Sequence, residues 1–417
     1  MSKSFARWVD QAETELALKP KGNAKADASA WTLLEGSRDF FPALCQAFAQ
    51  AKTRIWLETY ILNEHGGTQA VLQALAAAAQ RGVQVRVVMD GYGTPQLGAQ
   101  WQALWQASGV QWRTYKPLGL GGLWFPSRWR RLHRKLCVVD DDWAFCGGIN
   151  LIDDMYDPIH QQELQHPRLD FSVRLTGDLV TSVARVMEEL WWRMDMAEHL
   201  REREVSQAME RIRLRDWHRV WRKRVAHGLR TLVLRDNLSH RSDIVRAYLA
   251  AIGRAREEIW IANAFFMPSG RVRRALIHAC RRGVKVRLLV QGRFEYALPY
   301  RATRHLYAPL LSAGVEIWEY HASYLHGKVA VVDERWVTVG SSNLDPLSLL
   351  LAREANVVSR LPQDAQSVKQ ALSAAMVSGA KPIAAQQHAQ LSRWERTLDA
   401  LTWLSVRFAV WITARRY

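Results

Sequence analysis

A chain of 417 residues is long enough for two domains with full hydrophobic cores. With 48% hydrophobic and 23% charged residues it reads as globular, which excludes extended disorder away from the ends. A formal charge of +17 points to a polyanionic partner, nucleic acid or an anionic membrane surface, and its interleaving with nineteen tryptophans favours the membrane.

The opening segment MSKSFARWVDQAETELALKPKGN lacks an apolar core, so no signal peptide is expected. No run of 18 apolar residues occurs, and no transmembrane helix is predicted. The first apolar strand is Arg54 to Leu62 (RIWLETYIL), followed by an Ala-rich helix over Gln69 to Gln80. The turn Arg81-Gly82-Val83 leads into RGVQVRVVMDG, and SGVQWRTY begins at Ser108. Next comes a Gly-rich insert, KPLGLGGLWFPSRWRRL, with Trp124, Phe125 and Trp129 among arginines. Two short strands surround HRKLCVVDDDWAFCGGINL from His133, and RLDFSVRLTG follows. Arg201 to Arg235 is dense in arginine and carries Trp217 and Trp221. It reads as a charged helical connector, either a solvated face or a membrane-facing one.

Beyond the connector the pattern repeats. EIWIANAFF from Glu258, RGVKVRLLVQG from Arg282, AGVEIWEY from Ala313 and HGKVAVVDERWVTVGSSNL from His326 match the first series in the same order. The chain is therefore a duplicated α/β unit, each copy a mixed, largely buried sheet flanked by helices. Predicted boundaries are 30–200 and 231–362 for the two units, 201–230 for the connector and 385–417 for a C-terminal helix. On that last helix Leu398, Leu401, Leu404, Phe408, Trp411 and Ile412 fall near one face with arginines around them. It either lies in a lipid headgroup layer or packs on the core. Cys45, Cys137, Cys146 and Cys280 form no C-x-x-C pair. A reduced, cytosolic setting without disulfides is expected.

The chemistry concentrates in two copies of H-x-K-x4-D: His133, Lys135, Asp140 and His326, Lys328, Asp333. Each is followed by G-[GS]-x-N, which ends in Asn150 or Asn343 and includes Ser341 in the second copy, and these three are expected to contact the substrate. Residues two apart in a strand share a face, so each histidine projects with its lysine. An imidazole, an ammonium and a carboxamide suit a phosphate: one attacks or protonates, the others hold its oxygens. In-line displacement at phosphorus needs a nucleophile on one side and a proton donor on the other, which two such half-sites supply together. The lysines can offset the phosphoryl charge, so no metal and no cofactor is called for. Asp140 and Asp333 complete the motifs, but they end apolar strands and read as turn or ion-pair partners.

At these residues the chain resembles the phospholipase D superfamily over both halves, from about Leu33 to Val358. LETYIL, MDGYG, HRK…GGIN and YLHGKVAVVD…VGSSNLDPLSL…EANV are most like bacterial cardiolipin synthases of the shorter B type. The resemblance implies two pseudo-symmetric domains sharing one active site, with His133 as nucleophile, His326 as general acid then base, and a phosphohistidine intermediate. It also implies a carboxylate orienting each histidine, with Glu354 and Asp170 in the family positions. The implied reaction is phosphatidyl transfer between two phosphatidylglycerol molecules, giving cardiolipin and glycerol. The implied location is the cytoplasmic face of the bacterial cytoplasmic membrane. Attachment would be peripheral, through the Trp124, Phe125, Trp129 insert and the C-terminal helix. The competing reading is a phosphodiesterase or nuclease of the same superfamily, motivated by the charge. The clustering of Trp with Arg in the insert and tail makes nucleic acid the weaker partner.

Overall fold

The computed structural model describes residues 30–117, 130–201, 228–236, 240–294, 297–345, 352–385 and 392–415. The Trp124, Phe125, Trp129 insert and most of the connector lie outside these residues.

Strands in chain order are β1 (Trp31–Glu35), β2 (Arg54–Thr59), β3 (Gln84–Asp90), β4 (Gln111–Tyr115), β5 (Arg131–Leu132), β6 (Lys135–Val139), β7 (Trp143–Gly147), β8 (Tyr156–Asp157), β9 (Gln162–Glu163) and β10 (Phe171–Leu175). The second series is β11 (Arg230–Arg235), β12 (Glu258–Asn263), β13 (Lys285–Gln291), β14 (Glu316–Tyr320), β15 (Lys328–Val332), β16 (Trp336–Gly340), β17 (Ala352–Ser359) and β18 (Ala380–Pro382). The first sheet runs β1-β10-β7-β6-β2-β3-β4, and the second runs β11-β17-β16-β15-β12-β13-β14-β18. Strand for strand the two orders are equivalent. In each, three strands are parallel (β2, β3, β4 and β12, β13, β14) and the others antiparallel. β18 and the helix Pro362–Gly379 before it extend the second sheet, so this unit runs past residue 362, where the sequence reading ended it.

Local chemistry explains the repeats. β6 and β15 are buried along their whole length because both faces are covered, and they read as unbroken apolar runs. The Arg-Gly-Val turns need a left-handed residue after a helix, and Gly82 (φ 89°) and Gly283 (φ 87°) supply it at no steric cost. Helices Gly36–Gln50, Thr68–Gln80 and Ala99–Ser108 bury Leu44, Phe48, Leu72, Leu75 and Trp105 against the outer face of the first sheet. Asp243–Arg254 and Gly270–Arg281 do the same for the second sheet.

The inner faces meet. A single apolar cluster includes Leu136, Val138, Cys146 and Val173 of the first sheet and Val329, Val331, Val339 and Val357 of the second. Helices Asp178–Arg201 and Pro362–Gly379 pack into the same cluster. A buried, bidentate Arg230–Asp364 pair (2.6 and 2.9 Å) ties β11 to the second of these helices. The two halves are thus joined by a shared core, and their equivalent strands end beside one another.

Among the described residues no helix is long and apolar enough to cross a membrane. The C-terminal helix, Arg393–Arg415, divides its apolar residues between two sides. Asp399, Trp403 and Val406 face the helix Ala297–Arg304 and its surroundings, with Asp399 paired to Arg301 (3.3 Å) and Trp403 against His305 (4.9 Å between centroids). Trp394, Leu401, Leu404 and Phe408 are exposed. The inward side thus packs on the core, one of the two alternatives left open by the sequence, and the outward side leaves its apolar residues uncovered among the described residues.

Candidate active site

Each histidine stands just before a buried strand, His133 before β6 and His326 before β15. What fixes them is pairing with the opposite half. β5 runs parallel to the start of β17, and the His133 N–H donates to Arg353 O (3.0 Å), which brings His133 beside Glu354. In the mirror arrangement the His326 N–H donates to Leu169 O (2.8 Å), which brings His326 beside Asp170. The side chains then pair crosswise. His133 Nδ1 lies 3.0 and 3.1 Å from the two Glu354 carboxylate oxygens, and His326 Nδ1 lies 2.6 Å from Asp170 Oδ2. Both carboxylates were expected beside a histidine. That each reaches the histidine of the other half is the structural finding.

With Nδ1 held by a carboxylate, the proton sits there and Nε2 is left with its lone pair for chemistry. Burial holds His133 below its ordinary range, against the pull of Glu354. His326 is pushed down to about 3, first by burial and then by the Lys328 ammonium, with Asp170 opposing. Asp170, although burial pushes it up, is held below the usual carboxylate range by His326 and Lys328. The site as it stands therefore holds two neutral imidazoles and a charged aspartate.

Lys135 and Lys328 are buried, and each donates from Nζ to the carbonyl of its own histidine, Lys135 at 2.7 Å. Burial drives Lys135 down to about 7; Glu354 and Asp170 pull it back up while Lys328 pushes it further down. Groups that influence one another this way form one cluster, two ammonium groups and two carboxylates around two imidazoles. In such a buried cluster the lysines are the groups that can meet an incoming anion, and an anion between them favours their charged forms.

The remaining expected residues divide. Asn150 and Asn343 are both buried. Asn150 Oδ1 accepts the Ile61 N–H (3.2 Å), and Asn343 Oδ1 has no hydrogen-bond partner among the described residues. Ser341, expected among the substrate contacts, instead donates its hydroxyl to Glu354 Oε2 (2.5 Å) and accepts the Ala355 N–H (3.1 Å). Its counterpart in the first half is Gly148, where a Cβ would come within 2.2 Å of Asp170 Oδ1. Close approach of the shorter aspartate thus requires glycine there.

Asp140 and Asp333 lie at the far ends of β6 and β15, five residues from the lysines and roughly 16 Å along the strand. Asp140 accepts N–H bonds from Lys52, Thr53 and Arg54 (2.8 to 2.9 Å), and Asp333 from Arg256, Glu257 and Glu258 (2.7 to 2.9 Å). Both have positive φ, 52° and 51°. Their work is to tie the end of one strand to the start of its neighbour, the turn role expected of them, and they do not touch the histidines.

Two neighbours of the first half-site were not foreseen. The Tyr60 ring lies 4.8 Å from the His133 ring, with Lys135 Nζ 5.3 Å from its centroid. Arg134, between the histidine and lysine of the motif, forms a buried pair with Glu58 (2.6 and 3.1 Å). The second half has Ala264, Gly327 and Ala262 at these positions, and that difference was the available signal.

Comparison with known proteins identifies the family. A family model described as "Cardiolipin synthase, PLD-like domain" matches residues 44–163 and 248–376. Cardiolipin synthase B of Salmonella typhi is 37% identical over 390 residues, covering 90% of this chain and 87% of its own. Cardiolipin synthase B of Escherichia coli (strain K12) is 39% identical over 338 residues, 78% of this chain and 75% of its own. Among solved structures, phosphatidylserine synthase of Haemophilus influenzae Rd KW20 superposes with a TM-score of 0.67 over 97% of this chain and 99% of its own. At 14% identity that likeness speaks for the fold alone.

Proposed function

The chain belongs to the cardiolipin synthase family of phospholipase D-like proteins, and from that premise we infer that it is a phosphatidyltransferase joining two phosphatidylglycerol molecules into cardiolipin with release of glycerol. The observation that carries the reading is the crosswise pairing: each buried imidazole is held by a carboxylate of the other half, in one cluster with both lysines.

A phosphodiester entering between Lys135 and Lys328 brings negative charge that offsets the ammonium repulsion on His326. The His326 pKa then rises, and Asp170 stabilises the imidazolium that forms. His133 Nε2 attacks phosphorus, the bond from phosphorus to the glycerol oxygen breaks, and His326 gives its proton to the departing alkoxide. A second lipid's hydroxyl then gives its proton to His326, its oxygen attacks the phosphohistidine, and the P–N bond breaks to free His133. One phosphodiester replaces another, so no nucleotide energy is consumed. Lys135 and Lys328 neutralise the phosphoryl oxygens, and Asn150 and Asn343 flank them. Water must be excluded, or hydrolysis to phosphatidic acid competes.

Membrane attachment is peripheral in this reading. The outward residues Trp394, Leu401, Leu404 and Phe408, with Arg407 beside them, suit an anionic leaflet on the cytoplasmic face of the bacterial membrane. The Trp124, Phe125, Trp129 insert is proposed to act with them.

The deciding experiment is incubation of the purified protein with phosphatidylglycerol vesicles and, separately, with plasmid DNA. Cardiolipin and free glycerol in stoichiometric amounts are expected. DNA cleavage without either lipid product overturns the reading in favour of a nuclease.

A further inference from the structure

The extended segment Arg168–Leu169–Asp170 runs beside Tyr324–Leu325–His326. The Leu169 N–H donates to Tyr324 O (2.8 Å), the His326 and Gly327 N–H groups donate to Leu169 O (2.8 and 3.0 Å), and Leu169 bridges Leu325 in parallel register. In an extended chain residues two apart share a face, about 6.6 Å from one another. The Asp170–His326 pair is therefore followed, one step back on the same face, by Arg168 and Tyr324.

Arg168 stacks on the Tyr324 ring, its Cζ 5.7 Å from the centroid. Arg293, two residues past the end of β13, stacks on the same ring at 5.1 Å. It is held close by Gln291, whose side-chain oxygen accepts the Leu325 N–H (3.0 Å). Both arginines are half-buried, and among the described residues neither guanidinium makes an ion pair or a hydrogen bond. The nearby acids are otherwise engaged. Asp157 takes the Tyr324 hydroxyl (3.1 Å) and His160 Nδ1 (2.8 Å), while Asp154 bonds to Ser37 and is pushed up to about 7 chiefly by burial, with the Arg168 charge opposing that rise through space without an ion pair.

The first half lacks this feature. There the register sets Ala352 beside Arg131, and the Arg131 guanidinium is taken by Asp90 Oδ1 (3.2 Å) and Lys116 O (3.1 Å). Two guanidiniums with no carboxylate in ion-pair contact therefore stand on the His326 side of the site, whereas Arg131, which holds the Tyr324 position on the His133 side, is neutralised.

We propose that Arg168 and Arg293 bind a second phosphodiester monoanion, the phosphate of the lipid whose hydroxyl accepts the phosphatidyl group. This rests on the phosphatidyl-transfer reading above and names the acceptor site within it. His326 must touch both the departing and the incoming hydroxyl. An acceptor phosphate must then lie one glycerol away from that hydroxyl, and a three-carbon bridge with its ester oxygens is about as long as the step from His326 to Tyr324. Guanidiniums suit this anion because they bind phosphate oxygens in pairs and lose little hydration on doing so. Water carries no phosphate, so the pair also favours transfer over hydrolysis.

The test uses the full chain carrying Arg168→Gln, Arg293→Gln, both together, or the corresponding lysine variants, on phosphatidylglycerol vesicles. The rate of phosphoenzyme formation should match wild type. So should exchange of radiolabelled glycerol, an acceptor without a phosphate, into phosphatidylglycerol. Cardiolipin formation should fall roughly tenfold or more for each glutamine variant, from loss of a charge-assisted contact, and phosphatidic acid should rise in its place. The lysine variants should recover part of the transfer. An unchanged ratio of cardiolipin to phosphatidic acid, or a parallel fall in glycerol exchange, overturns the acceptor site. Failure of the wild-type chain to form any phosphoenzyme from phosphatidylglycerol would instead remove the transfer reading beneath it.

Discussion

Asp170→Asn isolates what the crosswise pairing means for chemistry. The substitution keeps the side-chain shape, and Asn Oδ1 can still accept the Phe171 N–H that Asp170 Oδ1 accepts at 2.8 Å. What is lost is the carboxylate 2.6 Å from His326 Nδ1, in a site where only 2% of the aspartate side chain is exposed. A buried hydrogen bond to a charged group contributes about 1.5 to 3 kcal/mol. At about 1.36 kcal/mol per decade, the steps in which His326 is charged should slow roughly 10- to 150-fold. Loss of Asp170 also makes the imidazolium scarcer, since the carboxylate opposes the fall of His326 to about 3. The assay is rapid-quench formation of phosphoenzyme from two donors, phosphatidylglycerol and a phosphatidyl nitrophenol whose leaving group departs without protonation. Asp170→Asn should be slow with the first and close to wild type with the second, as for His326→Ala. Glu354→Gln should be slow with both. Equal slowing of both donors by Asp170→Asn would show that the aspartate serves the nucleophile, and would refute either the pairing or the assignment of roles.

Three further outcomes follow from the same geometry. Lys135 has a folded-state pKa of about 7 against an ordinary 10.5, so between these values the unfolded chain binds more protons and wild-type stability rises with pH. Lys135→Met should flatten that rise, by on the order of 1.4 kcal/mol per unit of displacement, in denaturant titrations at pH 7 and pH 9.5. Asp333→Ala strips the acceptor from three backbone N–H groups and should lower the unfolding free energy by about 1 to 3 kcal/mol. Its turnover in the folded protein should stay near wild type, which kinetics well below the midpoint will check. Leu401→Glu with Phe408→Glu adds two negative charges to the exposed side of the C-terminal helix. It should weaken sedimentation with anionic vesicles while leaving turnover of micellar substrate intact.

Much of this arrangement is legible in the residues themselves. Apolar runs buried on both faces, the Arg-Gly-Val turns and the repeated order of motifs define the duplicated sheet, because each follows from local period and steric need. The histidines, lysines and aspartates carry their spacing with them, and a strand translates that spacing directly into a shared face. What could not be read is which chain segment lies beside which. Glu354 is 28 residues from His326 but belongs to His133, because β5 pairs with β17 across the halves and sequence distance carries no trace of that pairing. Ser341 reads as a phosphate contact from its motif, and only its 2.5 Å bond to Glu354 reveals that its hydroxyl is already taken. The C-terminal helix reads as one apolar face, whereas Trp403 and Val406 turn inward and Leu401, Leu404 and Phe408 outward.

The crosswise pairing also explains why the duplicated halves have not stayed identical. Were each histidine served by a carboxylate of its own half, one unit alone could hold a correctly oriented imidazole. Here neither can, since His133 without Glu354 and His326 without Asp170 would be buried without the group that orients them. Interdependence of this kind frees the surroundings of each histidine to diverge, because correct tautomer and position are guaranteed from across the interface. The divergence is visible around the lysines and asparagines that the two halves share. Tyr60 packs on His133 where the second half has Ala264, and Ser341 shares Glu354 where Gly148 leaves Asp170 unshared. Arg131 is neutralised by Asp90, while Arg168 and Arg293 stack on Tyr324 without an ion pair among the described residues. In the proposed roles this places the aromatic neighbour beside the attacking imidazole and the two arginines beside the one that meets the acceptor, which is the asymmetry a two-step transfer needs from a symmetric frame.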